Sequence, residues 1–210
     1  MSRSCPLVVK FNRDQFERQG DNMCKVIKKI YGKSANEILN LYGQGDSVPV
    51  DLSKLLLRIG ISALPYDFTE LEKEAGCKQG DISGFLLTKE DKAAIFFRAA
   101  DSVNRQRFTI AHELAHCCLH IKDYDRPHIE FRLADEEKDR KEKDADIFAG
   151  ELLIPLKRLR KVYTDLTVPT SSALASSFVV SISVMEARLD YLKISYYNQD
   201  GQAVIYGNDE

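Results

Sequence analysis

Apolar residues recur at helical spacing through Phe108, Ala111, Ala115, Cys118 and Leu119. Neither Gly nor Pro interrupts the run, and the pattern predicts a buried helix over residues 105–120. Upstream, a helix is predicted near 14–30 with Gly32 as its stop, then a shorter one from Ser34, a capping residue, to Tyr42. Residues 43–47 (Gly-Gln-Gly-Asp-Ser) form a linker-like break. Asp51 caps a helix that runs to Arg58 and stops at Gly60. A strand over 61–65 and a short acidic helix from Thr69 follow. Two apolar runs, 82–87 and 94–98, flank a polar turn at 88–92 and predict an antiparallel pair beside the buried helix. The edge of such a sheet can hold an extended peptide by strand addition.

Downstream, a long helix is predicted over 135–153, halted by Pro155. Residues 170–178 and 182–192 read as two short helices split by Val179-Val180-Ser181, and residues 193–197 and 203–206 as a terminal hairpin around Asn198-Gln199-Asp200-Gly201. The class is α+β. A small antiparallel sheet packs on the central helix and on the second long helix. Residues 1–45 form a helical N-terminal arm, 46–156 the core, and 157–210 a C-terminal helical unit ending in the hairpin.

Charge and cysteine usage narrow the field. A net charge of −2 provides no basic field for nucleic acid. The 170–192 pair superficially resembles helix-turn-helix, yet Arg188 is its only basic side chain, with Glu186 and Asp190 nearby, so direct DNA docking is not expected. The basic run at 157–161 reads as a solvated helix end. The apolar run near the N-terminus is too short for a signal peptide, and nothing later is expected to span a bilayer. Five cysteines without C-x-x-C spacing fit reduced thiols in a cytoplasm. Cys117 and Cys118 read as small core residues of the central helix. The chain has no internal repeat, no phosphate-cradling Gly loop and no G-x-S-x-G nucleophile.

The central helix carries the chemistry. His112-Glu113-Leu114-Ala115-His116 reads H-E-x-x-H. Residues four apart share a helix face, so His112 and His116 can direct two ring nitrogens at one ion, about 2.0–2.1 Å away if it is zinc. Glu113 is then placed to act as general base on a water at that ion. A five-letter match also occurs in helices that bind nothing. A catalytic zinc further needs a third protein ligand. On the long helix, Glu142 and Asp146 are four apart among small and apolar neighbours. Glu142 as third ligand, with Asp146 holding a ligand histidine by its other nitrogen, is a physically complete arrangement. An acidic face on a solvated helix is an equal reading of the same spacing. His128 and Tyr124, in the charged stretch after the motif, are candidates for stabilising an oxyanion. An exposed loop histidine is the plainer reading of His128.

Residues 105–120 resemble the motif R-x-R-F-T-x-A-H-E-L-x-H-x-x-L-H of the ImmA/IrrE-type metallopeptidases. Residues 142–155 resemble the same family's E-x-x-A-(D/N)-x-F-A-x-x-L-L-x-P, and Pro49-Val50-Asp51 and Ile82-Ser83-Gly84 look like its upstream signposts. The resemblance implies that His112, His116 and Glu142 bind the metal, that Glu113 is the base, and that Asp146 occupies the family's acidic-or-amide position. Ala115 departs from the Gly of many members; both are small. Leu119 and Lys122 break the longer metzincin pattern, so His120 reads as structural rather than as a ligand. The implied protein is a cytoplasmic zinc-dependent endopeptidase, although a His₂Glu set also suits Mn or Fe. Its implied partner is a separate DNA-binding repressor or antitoxin, in stress or mobile-element regulation. An alternative from another class is a regulatory binding module. It would use the metal structurally or not at all, and would sequester such a partner without cutting it.

Overall fold

Ser34 and Glu37 close a reciprocal cap. The Ser34 hydroxyl accepts from the Glu37 amide at 3.3 Å, and the Glu37 carboxylate accepts from the Ser34 amide at 2.8 Å. Helix α2 (Ala35–Leu41) starts there, after the short α1 (Lys25–Lys28). The computed structural model describes residues 24–44, 47–89, 91–120, 128–129 and 136–206, so most of the helix expected over 14–30 lies outside the described residues. The Asp51 carboxylate accepts from the Lys54 amide at 2.9 Å and starts α3 (Leu52–Ile59). Gly60, at φ 94°, ends it in a conformation that costs glycine little. Leu52, Leu55, Leu56 and Ile59 bury one stripe of α3.

Four strands make the main sheet: β1 (Ile61–Tyr66), β2 (Gly84–Lys89), β3 (Lys92–Arg98) and β4 (His128–Ile129), in the order β1-β3-β2-β4. The expected antiparallel pair is β2 with β3, in a register that sets Phe85 opposite Phe96. The expectation of a wholly antiparallel sheet is corrected by β1, which runs parallel to β3 and makes the sheet mixed. Parallel neighbours need a crossover of about a dozen residues or more. Here α4 (Thr69–Ala75), the loop after it and β2 supply that crossover. The loop is held from inside. Glu72, 2% exposed, accepts from the amides of Gly80 and Ile82 at 2.9 Å each, and it pairs with buried Arg98 at the end of β3. An ion pair removed from water needs such extra partners to hold.

Helix α5 (Val103–Leu119) opens at Ser102, whose hydroxyl accepts from the Arg105 amide, and packs against β2 and β3. Helix α6 (Glu136–Leu153) lies along α5. Ala111 and Ala115 on α5, and Ala145 and Ala149 on α6, are all fully buried, and small residues let two helix axes approach closely.

Helix α7 (Leu156–Asp165) follows Pro155 directly. It corrects the reading of 157–161 as wholly solvated, because Arg158 is buried and donates to the backbone oxygen of Gln44. The loop carbonyl gains a charged donor, and the guanidinium gains a partner away from water. Helices α8 (Ser171–Phe178) and α9 (Ile182–Leu192) cross at 107° and bury Leu174, Phe178, Met185 and Leu189. Arg188 is turned inward and donates to the Ile154 carbonyl at 3.3 Å. Strands β5 (Tyr196–Tyr197) and β6 (Ala203–Val204) pair as the terminal hairpin. One cluster of buried apolar residues extends from α1 to the hairpin, and among the described residues no single helix is long and apolar enough to cross a membrane.

Candidate metal centre

Two arginines on the first turns of α5 set the position of that helix. Arg105 donates to Asp101 at 3.1 Å and to the Ser83 hydroxyl at 2.9 Å, which ties the helix to the residue just before β2. Arg107 donates to the Val179 carbonyl at 3.1 Å and the Val50 carbonyl at 3.0 Å, joining α5 to the α8–α9 corner and to the entry of α3. Main-chain carbonyls outside regular structure are thereby satisfied, and α5 is held from three directions.

Two turns further along α5, His112 and His116 face one another with their Nε2 atoms 3.0 Å apart. Glu142 of α6 reaches both. Its Oε2 lies 3.3 Å from His112 Nε2, and its Oε1 lies 3.9 Å from His116 Nε2. A tetrahedral ion with bonds of about 2.0–2.1 Å spaces its ligand atoms about 3.3 Å apart. The observed separations bracket that value, and the donor set of two imidazoles and one carboxylate suits zinc. Among the described residues, these three are the group of His, Cys, Asp and Glu whose ligand atoms draw within 4.8 Å of one another. His116 is buried, whereas the side chains of His112 and Glu142 are 13% and 30% exposed, so the cluster opens to solvent on the α6 side.

Each histidine is also held on its far nitrogen. His112 Nδ1 lies 2.9 Å from Asp146 Oδ1, one turn beyond Glu142 on α6. His116 Nδ1 lies 2.9 Å from His120 Nδ1, one turn further along α5. The acidic-face reading of Glu142 and Asp146 does not describe this geometry, because both carboxylates turn toward the histidines of α5.

Glu113 is 3% exposed and lies next to β2. A Cβ on Gly84 would stand 3.5 Å from Glu113 Oε1 and only 2.5 Å from Thr109 Cγ2. Glycine at 84 therefore lets the β2 backbone close on α5 beside the Glu113 carboxylate. A Gly within a strand pattern is the available sequence signal of such an approach.

The expectation of a loop at His128 is corrected: its backbone belongs to β4, opposite Leu86. Tyr124 lies outside the described residues. Cys117 and Cys118 are fully buried, and that burial pushes both thiols well up from their ordinary range, in keeping with core residues. The approach of Gly84 to α5 and the burial of Arg158 join segments distant in sequence, and residue spacing does not reveal them. The contact of His120 with His116 lies within α5 and its cap, where the four-residue spacing is the available signal.

Comparison with protein families matches residues 73–190 to the peptidase M78 family, described as the IrrE N-terminal-like domain. The matched stretch runs from α4 through α9 and contains every side chain of the cluster. No curated protein matches the chain.

Proposed function

The chain belongs to the peptidase M78 family, whose function is of the metallopeptidase type, and from that premise we propose that it is a zinc-dependent endopeptidase cutting a peptide bond in a partner protein. The observation that carries the proposal is the convergence of His112, His116 and Glu142 beside a buried Glu113. In this reading the first three hold one divalent ion and Asp146 orients His112. An ion held there supplies Lewis-acid activation of a water and of the scissile carbonyl.

Glu113 then does the proton work. It accepts a proton from the attacking water and returns it to the nitrogen of the departing amine. Its carboxylate is buried next to β2. Glu142 does not serve as base, because both of its oxygens face the imidazoles.

The partner we propose is a separate DNA-binding repressor or antitoxin, and the compartment is the cytoplasm. The test is incubation of the zinc-loaded protein with a candidate DNA-binding repressor or antitoxin. New fragments that appear with wild type and not with Glu113→Gln support the endopeptidase. Tight association without fragments supports the sequestering module instead.

A further inference from the structure

We propose that His120 is a positioning residue that accepts the Nδ1 proton of a metal-bound His116 and fixes its ring orientation, as Asp146 does for His112. The inference rests on the reading that His116 is a metal ligand. Its observation is separate: the 2.9 Å contact between the two Nδ1 atoms, on the side of the His116 ring away from the Glu142 carboxylate.

A neutral imidazole has one N–H and one lone pair. If Nε2 of His116 gives its lone pair to an ion, its proton sits on Nδ1. That N–H points at His120 Nδ1, which must accept, so the His120 proton sits on its own Nε2. With an ion on His116 Nε2, one arrangement of protons satisfies the contact. The opposite tautomer of His116 would turn its Nε2–H toward the ion site, and His120 would then have to donate from its own Nδ1.

The backbone holds the acceptor in place. His120 is the C-cap of α5, and its amide donates to the His116 carbonyl at 3.0 Å. The Gly32 amide donates to the Cys118 carbonyl at 2.8 Å and anchors the same helix end to the turn before α2. His120 is 7% exposed, so water has little access to replace it. Partners of this kind on a ligand histidine are worth about 10- to 100-fold in metal affinity.

The experiment measures Co²⁺ affinity of the apo protein by competition with a chromophoric chelator, together with the Co²⁺ absorption spectrum. The variants are His120→Leu, His120→Asn and, as control, His116→Ala. The expected result is about 10- to 100-fold weaker binding by His120→Leu with an altered spectrum, and recovery of most of that loss by His120→Asn, whose side-chain oxygen can accept the same N–H. If His120→Leu does not fold, His120→Phe keeps the ring volume without an acceptor and carries the same expectation. Wild-type affinity and spectrum in a folded variant without an acceptor would overturn the proposal, even if its thermal midpoint falls. Failure of wild type to bind one Co²⁺, or undiminished binding by His116→Ala, would instead overturn the metal-site reading beneath it.

Discussion

His112 Nδ1 and Asp146 Oδ1 meet at 2.9 Å across 34 positions of sequence, and that contact joins the two helices that build the cluster. It leaves His112 Nε2 facing His116 and Glu142. Asp146 is half-exposed, so its effect is on ring orientation more than on stability. Asp146→Ala is expected to weaken zinc binding about 10- to 100-fold with little change in the apo protein's unfolding midpoint. Chelator competition alongside thermal melts checks this, and unchanged affinity would remove Asp146 from the site.

Glu113→Gln keeps the shape of the side chain and loses its proton affinity. Zinc content is expected to stay at the wild-type level, while cleavage of an authentic substrate falls about 10²- to 10⁴-fold. Metal analysis and a gel-based cleavage assay on the same preparation test both halves.

The closeness of β2 to α5 gives a stability prediction. A methyl at position 84 would meet Thr109 Cγ2 at 2.5 Å and the Phe96 carbonyl oxygen at 2.8 Å. Gly84→Ala is expected to destabilise the fold by about 1–3 kcal/mol. Removing the opposing methyl with Thr109→Ala should recover part of that loss, since the backbone contact remains. A double-mutant cycle by urea unfolding measures the coupling, and strict additivity would mean that the two positions do not press on each other.

The hairpin predicts an alkaline limit. Tyr196 and Tyr206 both donate to Asp190 Oδ1. Burial first, and then that hydrogen bond, push the Tyr196 phenol up to about 12; for Tyr206 the hydrogen bond leads and the direction is the same. An unfolded tyrosine titrates near about 10. The folded values are the higher ones, so the stabilisation is whole below about pH 10 and is lost as pH rises toward about 12. The stability gap between wild type and Asp190→Ala should therefore be constant at neutral pH and narrow through that window. Denaturant titrations from pH 7 to 12 would show it, and a gap independent of pH would contradict it.

The thiols should differ in reactivity. Cys77 is partly exposed, while Cys117 and Cys118 are buried with their thiols held protonated. Brief alkylation of the native protein at pH 8 is expected to label Cys77 and spare the other two, as read by peptide mass mapping. Rapid labelling of Cys117 would mean that α5 opens locally far more often than its burial implies.

By itself the sequence determined what neighbours three or four residues apart can decide. The Ser34 cap, the Asp51 cap and the Gly60 stop are contacts within one turn, and all are legible as residue types at fixed positions. So is the shared face of His112 and His116, because the helix period alone sets it. Tertiary structure decided the rest. Spacing allowed Glu142 and Asp146 to be either a solvated acidic face or partners of α5, and only the packing of α6 along α5 turned them toward the imidazoles. The parallel seat of β1 beside β3, the burial of Arg158 beneath Gln44, and the tight pass of Gly84 over Thr109 likewise join distant segments. Their outcome depends on how whole elements fill space together, a sum over many weak contacts that no single stretch of residues contains.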